Sequence, residues 1–321
     1  MKKFVLAITT FNRLAYLKDC IQSFDETKST KHQWTIIVAD DGSNDGTIDY
    51  LKKLELRHTE IKLIQNIRIG VHQQTNTIFK ELESTSFDCC FKIDDDITFL
   101  KSGWDEIYFQ TALETGCHHL VYCDEEWSKE QLLQQFVTRG KLVGKIPALQ
   151  VNGIFFTITP QVLKAVGYFD VGSFGFRGMG HVDYTVRCAR AGFTDKDTPW
   201  DIKDSNTYLS AVKRNYNSVL SSSAISTYDS FFREKKAEII RQKHRVYIPL
   251  QKLNTTIFSR FKEELIESLS AKVEQFETEK ADLVEWYERE IAKIKDWYAN
   301  QNQHLPNWYL KAGRVFKLFK K

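Results

Sequence analysis

Three consecutive carboxylates, Asp94-Asp95-Asp96, stand at the end of the strand-like run Phe87–Ile93. Adjacent anions repel one another, so a strand end that carries three of them calls for a nearby positive charge. A divalent cation such as Mg²⁺ or Mn²⁺ meets that need, since hard ions take oxygen ligands and share their remaining positions with water or substrate phosphates. A solvated acidic turn is the plain alternative. Further along, Asp183 lies at the start of a helix-like stretch, where the positive end of the helix dipole favours an anion. A carboxylate there serves either as an N-terminal cap or as a base that takes the proton of a hydroxyl nucleophile.

The elements that would hold these groups alternate. Strand-like runs at Phe4–Ile8, Trp34–Ala39, Ile61–Ile64 and Phe87–Ile93 are separated by stretches of helical spacing: Leu14–Phe24, then Ile48, Leu51 and Leu54, then Val71, Ile78 and Leu82. That alternation predicts an α/β fold, a Rossmann-like, mainly parallel sheet flanked by helices. Ligands of such sheets bind beyond the carboxyl ends of the strands. Asn12, Asp41 and Asp94–Asp96 all fall just past strand ends, so one crevice would collect them. Asp41 sits in Asp40-Asp41-Gly42-Ser43-Asn44-Asp45-Gly46, a cluster of turn formers. Between 100 and 150 the pattern is mixed and assigns no element. Val151–Ile158 is again strand-like, Pro160–Val166 is a short helix, and the glycine-rich loop Gly172–Gly180 leads into a helix from Val182 to Gly192.

The chain has 321 residues, 42% hydrophobic and 27% charged, enough for one large domain with an appendage or for two domains. A net charge of +3 gives no basis for nucleic-acid binding. The six cysteines lack C-x-x-C spacing and read as small core residues of a reducing compartment. Met1-Lys2-Lys3-Phe4-Val5-Leu6-Ala7-Ile8 runs straight into Thr9, Thr10, Asn12 and Arg13 with no cleavage site, so it reads as a first strand and not as a signal peptide. No run approaches the ~18 apolar residues of a membrane span, and a cytoplasmic protein is expected.

The tail differs in kind. Ile266, Leu269, Val273, Phe276, Lys280, Leu283, Tyr287, Glu290, Ile294 and Trp297 occupy alternating heptad positions, and eight of these ten are apolar. The pattern predicts a coiled coil or long helical hairpin over 251–321 that joins copies into a homo-oligomer; a single amphipathic helix packed on the preceding domain is the alternative. After Pro306, Lys311, Arg314, Lys317 and Lys321 line one helical face, and Tyr309, Ala312, Phe316 and Phe319 line another. Such a basic, aromatic end suits the anionic inner face of the cytoplasmic membrane.

Three segments carry a family resemblance. Ile8-Thr9-Thr10-Phe11-Asn12-Arg13, Val38-Ala39-Asp40-Asp41-Gly42-Ser43-Asn44-Asp45-Gly46-Thr47 and Lys92-Ile93-Asp94-Asp95-Asp96-Ile97 resemble, in order and each after a predicted strand, the signatures of family 2 glycosyltransferases. Asn152-Gly153-Ile154 through Val166-Gly167-Tyr168-Phe169-Asp170 is similar to that family's acceptor-side segment, and Gly178–Arg187 to its Gly-x-Glu-Asp stretch with a following arginine. The resemblance covers about the first 200 residues. It implies a GT-A domain over 1–250, with a donor half at about 1–100 and an acceptor half at about 101–250, ahead of the tail.

The resemblance also implies roles. A nucleotide-sugar donor, with a UDP-sugar favoured, would pass its sugar with inversion to a saccharide or lipid-linked saccharide in one displacement. A divalent metal, Mn²⁺ or Mg²⁺, held by Asp96 and Asp94 would stabilise the charge left on the diphosphate. Asp94 is assigned to ribose or metal and Asp95 to the nucleoside, the register of three identical residues staying open. Thr9, Asn12, Arg13 and either Asp41 or Asp40 would line the nucleoside, unless the aspartates cap the turn. Arg68 would face the donor or lie on the surface. Asp183 is the base. Val182 stands where the family usually has Glu, and His181 takes over part of that acceptor-side role or is structural. Trp104, with Phe174 or Phe176, would form an apolar platform for a sugar ring or belong to the core. His244 would be a third metal ligand or part of a polar helix or lid.

Two rival functions remain. A nucleotidyltransferase of similar sheet would want a glycine-rich phosphate loop after the first strand, and Thr9-Thr10-Phe11-Asn12-Arg13 has no glycine. A non-catalytic scaffold, its coiled coil the working part, is opposed by the retention of Asp96 and Asp183.

Overall fold

The computed structural model describes residues 1–57, 60–67, 69–126, 128–175, 178–211 and 224–251, with Arg289 and Ala292. The chain divides into two compact units, Met1–Leu220 with Ile225–Phe261, and Ser221–Ala224 with Lys262–Lys321. Every strand among the described residues belongs to the first unit. The expected coiled coil and basic end, Arg68 and Phe176 lie outside the described residues.

The central sheet contains β1 (Lys3–Thr10), β2 (Gln33–Asp40), β3 (Ile61–Gln65), β4 (Cys89–Asp94) and β8 (Phe155–Ile158), in the order β3-β2-β1-β4-β8. The first four are parallel and β8 runs antiparallel to β4. Helices α1 (Leu14–Thr27), α2 (Thr47–Arg57) and α3 (Val71–Leu82) connect the parallel strands. Because both faces of the sheet are covered, its strands read as continuous apolar runs.

Alternation along the strands sorts the core into two layers. Phe4, Leu6 and Ile8 pack with Leu17 and Phe24 of α1, Leu51 of α2 and Tyr108 of α4 (Trp104–Thr115). Val5 and Ala7 pack on the other face with Ile78 and Phe79 of α3, Val162 of α5 (Pro160–Val166) and Tyr184 of α7 (Gly180–Arg190). The chain steps outward from β1 to β2 to β3, then returns to lay β4 on the opposite side of β1. This reversal is a switch point, which opens a crevice at the carboxyl ends of β1 and β4.

The stretch the sequence left unassigned holds α4 and the short strands β5 (Ile97–Phe99), β6 (Val137–Arg139) and β7 (Leu142–Gly144). β5 pairs with β10 (Leu209–Ala211), and β7 lies between β6 and β9 (Trp200–Ile202). Strands of three residues are too short to show alternation. In α4 the buried residues include Trp104, Asp105, Tyr108, Phe109, Thr111 and Ala112, which mixes polar types into the inward face and blurs its period. A short α6 (Val171–Phe174) precedes α7, and α8 (Ala224–Arg241) is the last long helix of the described chain. All six cysteines are buried free thiols. Among the described residues no helix is long and apolar enough to cross a membrane.

Candidate active site

Strand register brings the predicted donor-side residues together. Thr9 lies opposite Asp94, and Thr10 opposite Asp40. Alternation then splits the aspartate triplet between the two faces of the sheet. Lys92 and Asp94 share the face covered by α3 and α7. There the buried Lys92 places Nζ 2.5 Å from Asp94 Oδ1, and Thr9 Oγ1 donates to the same oxygen at 3.1 Å. Asp95 turns the other way, 1% exposed, and accepts from Thr10 Oγ1 at 2.7 Å and from Arg13 Nη1 at 2.9 Å. Arg13 also lies 3.5 Å from Asp96 Oδ2, and that carboxylate is 12% exposed.

The positive charge required by the triplet thus comes first from the chain itself. Asp94 and Asp96 are the more open carboxylates of the triplet, 27% and 12% exposed. That donor set fits a cation bound by one or two carboxylates and completed by phosphate oxygens. It does not fit a cage made by protein alone, since among the described residues no group of three or more His, Cys, Asp or Glu side chains is placed to hold a metal.

The loops beyond the strands are fastened to one another. Asn12 adopts φ 50, a left-handed conformation that Asn tolerates better than most residues. Its backbone N–H donates to Ser43 Oγ at 2.7 Å, and its Oδ1 accepts from the Asn44 N–H at 2.8 Å. Asp41 accepts from the backbone of Ile69 at 2.6 Å and of Gly70 at 3.0 Å, tying the start of α3 to the end of β2. Asp40 is a turn cap: its Oδ2 accepts from the Gly42 and Ser43 N–H groups at 2.9 and 2.8 Å, and it is fully buried. Burial pushes its carboxyl up, against the hydrogen bonds from Ser43 and Gly42. The structure therefore corrects two nucleoside assignments, because Asp40 and Asp95 are sealed inside the protein.

The acceptor side departs furthest from expectation. Asp183 lies in the first turn of α7, whose N-cap is Met179, but it does not face an open crevice. Its carboxylate is 1% exposed and accepts from Arg187 Nε at 2.7 Å. Arg187 is itself fully buried and donates to the carbonyls of Val166, Tyr168 and Val246. Burial pushes the Asp183 carboxyl up, and the Arg187 guanidinium opposes it. This is a strut between α7 and neighbouring loops, and it corrects the assignment of Asp183 as base.

His181 lies two residues earlier and is only partly buried. Its Nε2 donates to the Val151 carbonyl at 2.8 Å. Gly153 lies directly against it, where an added Cβ would stand 2.7 Å from the His181 Cβ. The next residue, Ile154, accepts from the Asp94 backbone N–H at 2.9 Å. Segment 151–154 therefore joins His181 to the end of β4.

Three other expectations are corrected. Trp104 is fully buried among Trp34, Phe91 and Phe99, with ring centroids 5.7, 4.9 and 4.4 Å away, and offers no sugar platform. Phe174 is buried too, with Lys235 Nζ 5.9 Å from its ring centroid. His244 is exposed in the turn after α8, beside Arg245, which pairs with Asp170 at 2.7 Å. It is not gathered with Asp94 and Asp96.

Sequence reasoning missed Lys92 and the first turns of α3, where His72, Gln73, Gln74, Thr75 and Asn76 are all buried. Gln74 Nε2 donates to the carbonyls of Thr10 and Ala39 at 3.0 and 3.1 Å. Asn76 exchanges two hydrogen bonds with the Phe169 backbone, at 3.0 and 2.8 Å. His72 Nδ1 donates to the Gly175 carbonyl at 2.8 Å, which leaves its buried Nε2 as an unpartnered acceptor. Burial pushes this imidazole down to about 3. The available signals were a lysine inside Cys89-Cys90-Phe91-Lys92-Ile93 and five polar residues opening an otherwise apolar helix.

Gly180 closes over the same histidine, since a Cβ there would lie 2.5–2.7 Å from His72 ring atoms. Gly180→Ala should cost about 1–3 kcal/mol by overpacking, read as a lower urea midpoint at unchanged slope. An unchanged midpoint would show that the ring yields freely.

Residues 5–174 match the model of Glycosyl transferase family 2. The chain is 27% identical over 220 residues to an uncharacterized glycosyltransferase of Acanthamoeba polyphaga mimivirus, covering 64% of this chain and 80% of that one. It is similar in structure to mannosyltransferase PcManGT from Pyrobaculum calidifontis in complex with GDP-Man and Mn²⁺, with 13% identity and a TM-score of 0.54 over 100% of this chain and 88% of that one. It is also similar to S. aureus TarS 1–349 in complex with UDP-GlcNAc, with 15% identity and a TM-score of 0.50 over 74% of this chain. The chain spans 65% of that TarS fragment. At these identities the two structures show a shared fold, the GT-A arrangement of a mainly parallel sheet between helices.

Proposed function

The chain belongs to glycosyl transferase family 2, and from that premise we propose that it moves a sugar from a nucleotide-sugar donor, UDP-sugars favoured, to a hydroxyl of a saccharide or lipid-linked saccharide, with inversion. One observation carries the proposal: Thr9, Asn12, Asp41, Asp94 and Asp96 converge at the carboxyl ends of β1, β2 and β4, at the switch point of the sheet. Cleaving the bond between the anomeric carbon and the phosphate oxygen deposits charge on a diphosphate. A divalent cation held by Asp96, with Asp94 beside it, would neutralise that charge.

The chain's own residues shape the rest of the donor site. Lys92 and Thr9 fix the orientation of Asp94, and Arg13 holds Asp95 and Asp96 in one turn. The Asn12–Ser43–Asn44 latch and the Asp41 bonds to Ile69 and Gly70 set the spacing of the flanking loops. A homo-oligomer formed by the tail, contact of its basic end with an anionic membrane, and a cytoplasmic location are proposed from the sequence of 251–321 and the composition of the chain.

A panel of UDP- and GDP-sugars incubated with the full chain and Mn²⁺ tests the proposal. At least one donor should release its nucleoside diphosphate, and chelation by EDTA should stop the release. If no donor is turned over with or without saccharide acceptors present, the proposal fails.

A further inference from the structure

We infer that Arg245 is a positioning residue for the donor site: from the segment after α8 it holds the 167–175 turn, and through His72 the start of α3, where nucleotide binding requires them. The inference rests on the donor site proposed above. Residues 245–251 run across that turn as a strap. The Ile248 N–H donates to the Val166 carbonyl at 3.1 Å, and the Ile248 carbonyl accepts from the Tyr168 N–H at 2.9 Å. Gly167 lies between these bonds with φ 73, and a Cβ there would run into the Ile248 carbonyl oxygen, so glycine lets the strap lie flush. Arg190 on α7 donates to the carbonyls of Ile239 and Arg245 at 2.7 and 3.0 Å, which anchors the end of α8 and the start of the strap.

The grip of the strap centres on Asp170, which is buried and caps α6 by accepting from the Ser173 N–H at 3.1 Å. Arg245 Nη1 lies 2.7 Å from Asp170 Oδ2, and Gln251 Nε2 donates to Oδ1 at 2.9 Å. Gln251 Oε1 also accepts from the Gly172 N–H at 2.8 Å. Burial works to raise the Asp170 carboxyl, but the bonds from Ser173 and Gln251 and the charge of Arg245 outweigh it and hold it below its ordinary value. The single turn of α6 is too short to keep its own place. Apart from one bond from Lys235 of α8 to the Ser173 carbonyl, at 2.8 Å, the strap supplies that support.

The turn carries α3 in its place. Phe169 exchanges two backbone bonds with Asn76, and the Gly175 carbonyl, at the end of α6, accepts from His72 Nδ1 at 2.8 Å. The His72 ring also stacks on Phe169, with centroids 5.6 Å apart. Two residues earlier the Gly70 N–H donates to Asp41 at 3.0 Å, and two residues later Gln74 reaches the carbonyls of Thr10 and Ala39. The start of α3 is thus bonded to the turn and to the strand ends that border the nucleoside. Contiguous bonded groups of this kind carry coupling across a fold. A shift of the turn moves His72, and with it the Gly70–Asp41 contact.

The test compares the wild-type full chain with Arg245→Ala, Arg245→Lys and Gln251→Ala. Arg245 is 33% exposed, so its truncation opens no core. Amide hydrogen exchange without nucleotide reads the connection itself, since it reports local opening. In Arg245→Ala, exchange should quicken across both 167–175 and 69–76 and stay unchanged in β1 and β4. Calorimetry with UDP and with GDP, each with Mn²⁺, reads the consequence. The Kd should rise about 5–20-fold in Arg245→Ala, within the usual range of coupling between sites, and by a smaller factor in Gln251→Ala. Arg245→Lys, which keeps a charge beside Asp170, should restore most of the affinity. A tie with no positioning role would lower the urea midpoint and leave the Kd of the folded protein unchanged. If Arg245→Ala does not fold, Gln251→Ala carries both readings. Faster exchange in 167–175 alone, or nucleotide affinity equal to wild type in the strap variants, would overturn the inference while leaving sugar transfer intact. Absence of nucleotide binding by the wild-type chain would instead remove the donor site, and the inference with it.

Discussion

Asp96→Ala should lower nucleotide-sugar turnover about 10²–10³-fold, the range for loss of one preorganised electrostatic contact to a developing charge, and should abolish Mn²⁺-dependent nucleotide binding. Its cost in stability should be smaller than that of Asp95→Ala, since Asp96 is partly exposed and lies 3.5 Å from Arg13. Asp95→Ala should show the opposite balance. That carboxylate is sealed against Thr10 and Arg13, so its loss removes two internal bonds and leaves a buried hydroxyl unpaired. The expected cost is about 1–3 kcal/mol of stability, read from a urea curve. Equal and mild losses of activity at 94, 95 and 96 would return the triplet to a solvated acidic turn.

Arg187→Met should be the most destabilising substitution on the acceptor side. It strands the buried Asp183 carboxylate and takes donors from the carbonyls of Val166, Tyr168 and Val246. Breaking a buried pair by removing one partner costs about 3–5 kcal/mol, enough to unfold a marginally stable domain. Asp183→Asn, which keeps an oxygen for Arg187, should lose stability by less and should retain turnover in its folded fraction. Full stability with abolished turnover in Asp183→Asn would restore that aspartate as the base.

The sheet was legible because its strands are long and apolar. Phe4–Ile8, Trp34–Ala39 and Phe87–Ile93 were all recognised, and their order placed Asn12, Asp41 and Asp94–Asp96 at one end. What escaped was the direction of side chains. The triplet was visible as three equivalent anions, but only the backbone path shows that Asp94 faces α3 and α7 while Asp95 turns toward Arg13. Lys92 went unnoticed because one lysine in a strand says nothing about its partner until the face is known.

Asp183 illustrates a different limit. Its helix begins at Gly180, so Asp183 lies inside the first turn, four residues before Arg187. That i,i+4 spacing is a salt-bridge signal in its own right, and it competed with the resemblance that assigned a base. For Trp104 the sequence leaves platform and core equally open; the aromatic cluster of Trp34, Phe91 and Phe99 that places it in the core comes from distant parts of the chain. The polar opening of α3 was invisible to a search for apolar periodicity, since its buried side chains bond to the backbone of Thr10, Ala39 and Phe169.

Calorimetric titration of the full chain with UDP and with GDP, with and without Mn²⁺, decides whether a donor site lies at the ends of β1 and β4. Saturable binding of at least one nucleoside diphosphate is predicted, requiring the metal and disappearing in Asp96→Ala. Metal-independent binding, binding that survives Asp96→Ala, or no binding of either nucleotide would contradict such a site.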